Sequence, residues 1–215
     1  NPDDVLVVGS QCAPMLIEAF GEHIISKMLV VDAKKLPEGV ALNVPGEHNR
    51  YNAALAFIAA REYGIDEPTI VKALETFPGV PGRLELIAEK DGVKIYNDTT
   101  STTPEAALAA IEAVGTKNTL LIMGGADKDL NMNKLLVRLP ELKRVILLSG
   151  TGTSRVLEFI EGASVFDSLK AAVDEAFASA HPGDTILFSP AFASFGMFKN
   201  EYDRGDQFNA LVRAR

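Results

Sequence analysis

The sequence predicts an α/β fold in which a mainly parallel sheet is flanked by helices on both faces. Three observations lead to this prediction. Short apolar runs recur along the chain, amphipathic stretches separate the later runs, and glycine-rich or hydroxyl-rich segments follow several of them. Strands that alternate with helices at this spacing are typical of parallel sheets, because each crossover helix packs onto one face of the sheet.

The apolar runs and amphipathic stretches can be placed along the chain. Buried strands are predicted at residues 5–8, 29–31, 93–96, 119–123, 144–148 and 185–188. Helices are predicted at 49–63, 67–76, 104–114, 132–139, 154–160 and 169–180. Two helix starts are marked by N-cap residues: Thr103, which precedes a proline, and Ser168.

A domain boundary is predicted in the segment 77–82, which contains two prolines and two glycines in six residues. Such a segment cannot continue a helix and is typical of a hinge. We expect a partial first domain at 1–81 and a complete second domain at 82–215. The first part has too few predicted strands for a whole α/β domain, which indicates truncation.

Composition restricts the class of protein. The 215 residues include 47% hydrophobic and 23% charged residues, and the formal net charge is −8. This acidic balance argues against broad nucleic-acid binding. No apolar run is long enough to span a bilayer, so no membrane partner is predicted and the cytoplasm is the expected compartment. The single cysteine, Cys12, excludes an internal disulfide.

Two polar segments, one before an alanine-rich stretch and one at the predicted hinge, have competing interpretations. The segment 46–52 precedes an alanine-rich helix and includes His48, Asn49 and Asn52. It is either a loop whose asparagines cap the helix, or a site whose side chains read an adenine edge. Arg83 is either a surface charge or a phosphate ligand in a cleft between domains.

Four further segments follow predicted strands. They are the hydroxyl-rich 96–104, the Gly-Gly segment 124–129 with Lys128, the Gly/Thr-rich 149–154, and 189–205. Carboxyl ends of strands are where open α/β sheets bind ligands, although helix capping or simple turns also explain each segment. The three histidines are scattered and no spacing suits a metal, so neither a catalytic triad nor a metal site is predicted.

Taken together, these segments resemble the Mur ligase superfamily, and within it the branch that adds D-glutamate. The resemblance covers nearly the whole chain. It is carried by Asn-Pro-Asp-Asp (1–4), Pro-Gly-Glu-His-Asn-Arg-Tyr-Asn-Ala-Ala (45–54), Gly-Arg-Leu-Glu (82–85), Tyr-Asn-Asp (96–98), Ser-Pro-Ala-Phe-Ala-Ser-Phe (189–195), Phe-Lys-Asn (198–200) and Arg-Gly (204–205). It implies that residues 1–81 are the end of a central ATP-binding domain and that a Rossmann-like carboxy-terminal domain follows at 82–215.

The resemblance also implies roles for matching residues. Asn49 and Asn52 contact the adenine of ATP, Arg83 the phosphates and Asp98 the ribose. D-glutamate is held by Thr102, Lys128, Ser194 and Tyr202. His48 and Lys128 are the candidate catalytic residues.

The implied reaction joins D-glutamate to UDP-N-acetylmuramoyl-L-alanine through an acyl phosphate, in peptidoglycan precursor synthesis and with ATP and magnesium as cofactors. The partners are small molecules and the protein is expected to be a monomer. The phosphate loop of the family would precede Asn1, so this chain alone is expected to be inactive.

Two positions depart from the family pattern. The segment 99–102 reads Thr-Thr-Ser-Thr where the family has Ser-Lys-Ala-Thr, so Thr100 stands in place of a substrate-contacting lysine. Glu201 aligns with an aromatic residue that covers D-glutamate; either Tyr202 takes that place or the amino acid is bound differently. Two alternatives stay open: a related amide ligase resembling folylpolyglutamate synthase, and a non-catalytic anion-binding α/β module.

Overall fold

The computed structural model describes residues 1–215 and divides into two compact units, Asn1–Pro78 and Gly79–Arg215. The division falls inside the proline- and glycine-rich segment, three residues before the predicted boundary.

Unit 1 combines a two-stranded parallel sheet with three helices. The elements are β1 (Val5–Gly9), α1 (Ala13–Phe20), β2 (Lys27–Val31), α2 (Glu47–Glu62) and α3 (Glu67–Thr76), with 3₁₀ turns at Gly21–His23 and Ala33–Lys35. Helix α2 buries Ala53, Ala54, Phe57 and Ile58, which share one face because residues four apart lie above one another. This face forms the core of the unit with Ile70 of α3.

The capping prediction for α2 was wrong. The helix begins at Glu47, and its N-cap is Gly46, not Asn49 or Asn52. Gly46 has φ of 101°, a conformation that side chains rarely adopt. The Asn49 side-chain amide donates to the Pro45 carbonyl oxygen at 2.7 Å and so stabilises the same turn from inside the helix.

Unit 2 is the mainly parallel sheet that the sequence predicts, with helices on both faces. Its elements are β3 (Glu85–Lys90), β4 (Val93–Asn97), α4 (Pro104–Val114), β5 (Thr119–Gly124), α5 (Asn133–Arg138), β6 (Arg144–Leu148), α6 (Ser154–Leu157), β7 (Ser164–Phe166), α7 (Leu169–Ser179), β8 (Thr185–Phe188) and α8 (Glu201–Arg213), with a 3₁₀ turn at Leu139–Glu141. The strand order is β3-β4-β8-β5-β6-β7, and only the β3–β4 pair is antiparallel.

The central strand β5 explains the unbroken apolar runs. All six of its residues are buried. Leu121 and Met123 pack in a cluster with α4 and α5, whereas Ile122 packs in a second cluster with α7 and α8. Since successive side chains of a strand point to opposite faces, a strand covered on both sides is apolar at nearly every position. The one polar side chain of β5, Thr119, donates its hydroxyl hydrogen to the Gly115 carbonyl oxygen at 2.7 Å. No helix of the structure has both the length and the apolar character needed to span a membrane.

Thr103 and Ser168 are confirmed as N-caps: their side chains accept hydrogen bonds from the backbone N–H groups of Ala106 and Ala171. Four elements were not predicted: β3, β7, α1 and α8. Helix α6 is also shorter than predicted, because it ends at Leu157 and not at residue 160.

At the amino edge of this sheet, a buried carboxylate holds the start of β8. The Asp184 side chain is 6% exposed, and it accepts hydrogen bonds from Lys143 Nζ and, at 2.7 Å, from the His181 backbone N–H. Burial raises the pKa of the Asp184 carboxyl, but these bonds outweigh burial and hold it below the ordinary 3.8. Asp184 therefore stabilises the fold above about pH 4, and this stabilisation is lost as the pH falls through its folded pKa.

We expect Asp184→Asn to lower the free energy of unfolding at neutral pH and to weaken its dependence on pH below about pH 4. Urea unfolding at several pH values between 3 and 7 measures both effects. The control is Asp206→Asn, which removes a solvent-exposed carboxylate of α8 and should keep the parent pH dependence. If the free energy of unfolding of the Asp184 variant depends on pH as that of the parent does, this carboxylate does not couple folding to pH.

Candidate functional site

The carboxyl ends of β4, β8, β5 and β6 lie side by side because these four strands are parallel neighbours. The segments that follow them, 98–103, 189–200, 125–132 and 149–153, therefore meet at one edge of the sheet. We call this the carboxyl edge. It is where open α/β sheets bind ligands.

Asp98 and Ser194, each 4% exposed, are the most deeply buried of the predicted site residues in unit 2. Asp98 Oδ1 accepts from the Leu84 backbone N–H at 2.9 Å, and its Oδ2 accepts from Ser189 Oγ at 2.7 Å. The carboxylate thus joins the turn that contains Arg83 to the end of β8. Arg83 itself is exposed. The structure gives Asp98 an organising position, and its contact with a ribose stays a prediction.

Lys128 and Thr102 come together across the loops after β5 and β4. Lys128 Nζ donates to Thr102 Oγ1 at 3.1 Å, and the lysine is otherwise exposed. An exposed ammonium beside a hydroxyl can bind a carboxylate or a phosphate oxygen. These two residues are separated by 26 positions in the sequence, and only the parallel pairing of the sheet brings them into contact.

The loop that contains Lys128 is anchored through its neighbour Asp127. The Arg155 guanidinium donates to Asp127 Oδ1 at 2.7 Å and holds the pKa of that carboxyl below its usual range. The Asp127 backbone N–H also donates to Thr151 Oγ1 at 2.9 Å. The glycine-rich segment after β6 therefore acts as a support for the Lys128 loop, a role that its sequence alone did not reveal.

Ser194 lies on the loop after β8, which is bonded directly to the Lys128 loop. Ala126 and Ala193 form an antiparallel bridge, with N–H···O distances of 2.9 and 3.0 Å. The bridge requires Gly125, since a Cβ added there would lie 2.4 Å from the Ala193 carbonyl oxygen. Two of the predicted D-glutamate residues, Lys128 and Ser194, thus lie on loops that hydrogen-bond to each other.

The structure also shows where the two residues that depart from the family pattern lie. Thr100 Oγ1 donates to the Gly82 carbonyl oxygen at 2.8 Å, so this hydroxyl closes the turn before β3. Glu201 is the first residue of α8, and its carbonyl oxygen accepts a hydrogen bond from Thr99 Oγ1 at 2.8 Å. Tyr202 is on the first turn of α8 and is 64% exposed. It makes none of the hydrogen bonds that join the carboxyl-edge loops.

Sequence reasoning assigned no role to Arg204, although this residue is at the centre of the site's framework. It is 0% exposed, and its guanidinium donates to Thr99 Oγ1, to the Thr99 carbonyl oxygen and to the Phe192 carbonyl oxygen. Burial lowers the pKa of Arg204 to about 10, against an opposing effect of the Glu201 carboxylate, so the side chain is charged at neutral pH. The signal that was present is the Arg-Gly motif at 204–205, which carries part of the resemblance; in the structure Arg204, Gly205, Phe208 and Val212 form the buried stripe of α8.

The predicted ATP residues of unit 1 lie on α2. His48 and Asn52 are exposed, and Asn49 is half-buried against its own turn. No group of three or more His, Cys, Asp or Glu side chains is suitably placed to hold a metal ion.

Comparisons with known proteins agree with this architecture. The family model "Mur ligase, glutamate ligase domain" matches residues 82–192. The UDP-N-acetylmuramoylalanine–D-glutamate ligase of Roseiflexus sp. (strain RS-1) is 42% identical over 177 residues, which are 79% of this chain and 38% of the relative. The ligase of the same name from Caldanaerobacter subterraneus is 35% identical over 89% of this chain and 44% of its own length. The chain thus spans less than half of these relatives.

Solved structures share the fold at low sequence identity. The UDP-N-acetylmuramoylalanyl-D-glutamyl-2,6-diaminopimelate–D-alanyl-D-alanyl ligase of Acinetobacter baumannii matches with a TM-score of 0.71 and 20% identity, over 100% of this chain and 52% of that one. The folylpolyglutamate synthase of Mycobacterium tuberculosis complexed with ADP matches with a TM-score of 0.71 and 15% identity, over 98% and 55%. The family model covers more than half of the chain, and the relatives named above carry the same ligase name. The solved structures share its fold. The chain therefore belongs to the Mur ligase family.

Proposed function

We propose that this chain is the carboxy-terminal part of a UDP-N-acetylmuramoylalanine–D-glutamate ligase, and that unit 2 binds D-glutamate at its carboxyl edge. The name of the 35–42% identical relatives supports this choice of substrate. The observation that carries it is the contact between Lys128 Nζ and Thr102 Oγ1, on a loop that is bonded to the loop of Ser194. These groups offer one cation and two hydroxyls to a dicarboxylate.

The proposed reaction forms an amide bond. ATP phosphorylates the carboxylate of UDP-N-acetylmuramoyl-L-alanine, the D-glutamate amine attacks the resulting acyl carbon, and phosphate leaves. Lys128 neutralises a D-glutamate carboxylate, and Thr102 and Ser194 orient the amino acid so that its amine faces the acyl group. Positioning and charge neutralisation account for most of the rate enhancement that such sites provide.

We assign unit 1 to the last part of an ATP-binding domain. In this proposal His48 is a catalytic residue, as is Lys128 of unit 2, and Asn49 and Asn52 contact adenine. Arg83 reaches the phosphates and Asp98 the ribose. The full protein works in the cytoplasm as a monomer on small molecules, and this chain by itself does not complete the reaction.

Binding of D-glutamate to the chain tests the proposal without the need for turnover. In a ¹⁵N NMR titration, we expect the amides of Thr102, Lys128 and Ser194 to shift with D-glutamate and to respond less to L-glutamate. Lys128→Met should raise the Kd for D-glutamate at least about tenfold, because it removes a charge-assisted hydrogen bond. Ser194→Ala should raise it by a smaller factor.

The matched control is Lys134→Met, which removes an exposed lysine of α5 and should leave the Kd unchanged. A D-glutamate affinity that Lys128→Met does not alter would remove this lysine from the site. A preference for L-glutamate would favour the related amide ligase, and no response to either enantiomer would contradict the proposed function.

A further inference from the structure

Arg204 connects the two loops that contain the proposed D-glutamate residues. Its Nε and Nη2 donate to Thr99 Oγ1 and to the Thr99 carbonyl oxygen at 3.1 and 2.7 Å. Its Nη1 donates to the Phe192 carbonyl oxygen at 3.2 Å. Thr99 precedes Thr102 by three residues and Phe192 precedes Ser194 by two. One planar guanidinium is therefore hydrogen-bonded to both loops.

The surroundings of Arg204 leave little freedom. Phe192 is 2% exposed and belongs to the core beside α4 and α5. Helix α8 lies so close to the β4 loop that a Cβ added at Gly205 would be 2.6 Å from Thr99 Cγ2. The two loops are also bonded to each other, since the Ala191 N–H donates to the Ser101 carbonyl oxygen at 2.9 Å. A shift of the guanidinium would therefore move both loops.

The charge of Arg204 is not neutralised by a hydrogen-bonded carboxylate. Its three acceptors are neutral oxygens, not carboxylates. Burying a charge is unfavourable unless hydrogen bonds compensate for the lost water, as the three bonds of Arg204 do. A buried positive charge does, however, raise the electrostatic potential of the loops above it, and in a low-dielectric surrounding this attraction for anions is strong.

We propose that Arg204 is a positioning residue for amino-acid binding: it fixes the Thr99–Thr102 and Phe192–Ser194 segments at one spacing and makes the proposed D-glutamate site at the carboxyl edge attractive to carboxylates. The inference rests on the proposed function, because it names the residue that organises the same site. It does not require Arg204 to touch the ligand.

Two substitutions separate geometry from charge. Arg204→Met keeps most of the length and loses both the charge and the donors, whereas Arg204→Lys keeps the charge and loses the planar fork. The control is Arg213→Met, near the exposed end of the same helix. The measurements on the 215-residue chain are the Kd for D-glutamate and the hydrogen exchange rates of the Ala191 and Ile122 amides. Ala191 reports the contact between the loops, and Ile122 in β5 reports global unfolding.

For Arg204→Met we expect the Kd to rise at least tenfold and Ala191 exchange to accelerate more than Ile122 exchange. For Arg204→Lys, the Kd and the Ala191 exchange rate should lie between those of the parent and of the methionine variant. For Arg213→Met, both values should match the parent. A folded Arg204→Met chain with parent affinity and parent Ala191 protection would overturn the inference. If Arg204→Met does not fold, an Arg204→Lys chain with both parent values overturns it instead.

The two proposals can fail separately. If the parent chain does not bind D-glutamate, the proposed function is contradicted, and the Ala191 exchange of the variants alone decides whether Arg204 positions the loops. If the parent binds D-glutamate and the Arg204 variants keep the parent Kd and the parent Ala191 exchange rate, the proposed function stands without this positioning residue.

Discussion

Replacing Gly125 with alanine is expected to lower the free energy of unfolding of unit 2 by at least about 3 kcal/mol. The added Cβ would lie 2.4 Å from the Ala193 carbonyl oxygen, which accepts the hydrogen bond from Ala126. Gly125 also has φ of 141°, where a side chain adds strain. Strained backbone and overpacking each cost about 1–3 kcal/mol. Exchange of the Ile122 amide measures the change, since this amide lies in the centre of the sheet.

A second glycine separates the two contributions. Gly115, at the end of α4, has φ of 89°, and a Cβ there would meet no atom within 4 Å. Gly115→Ala should therefore cost only the conformational strain, about 1–3 kcal/mol. Equal losses in the two variants would mean that the contact between the Gly125 and Ala193 segments adjusts without cost, and that the bridge between these loops is not rigid.

Replacing Phe208 with alanine should lower the free energy of unfolding of unit 2 by about 4 kcal/mol, the usual scale for a buried phenylalanine. The side chain is 0% exposed, and its ring stacks on Phe188 at a centroid distance of 4.5 Å. It is the largest apolar side chain that α8 contributes to the core. The loss should also loosen α8, which contains Arg204, so D-glutamate affinity should fall together with stability.

Phe195→Ala is the matched stability control, because the same atoms are removed from a ring that is 69% exposed. Its cost should stay below about 1 kcal/mol, since surface substitutions seldom exceed a few tenths. Guanidinium unfolding followed by far-UV circular dichroism compares the two variants. Similar losses for both would show that α8 does not depend on burial of its aromatic ring.

The elements that the sequence predicted correctly are those with a strong local signal. The runs of β5, β6 and β8 are apolar at nearly every position because helices cover both faces, and α4 and α7 begin at side-chain caps. The elements that it missed have weak local signals. Strand β3 contains three charged residues in six, and β7 has only three residues. Both lie at the edges of the sheet, where one side of the strand is exposed and pairing determines the structure.

Helix α8 shows why part of the site was also missed. Its sequence is mostly polar, and its buried stripe contains an arginine and a glycine, which no hydrophobic pattern identifies. Arg204 is buried only because the Thr99 and Phe192 segments supply acceptors for its donors. Such a partner set is distributed over more than a hundred residues of sequence, so it has no local signature.

The fold class, a division of the chain at its glycine- and proline-rich segment, the loops at the ends of strands and the resemblance to the Mur ligases could be predicted from the sequence, because apolar periodicity, turn residues and short motifs are local properties. Which loops touch each other depends on the packing of the sheet and could not be predicted locally. The contact of Lys128 with Thr102, the bridge next to Ser194 and the burial of Arg204 all follow from the strand order β4-β8-β5, which places chain segments from distant parts of the sequence at one edge.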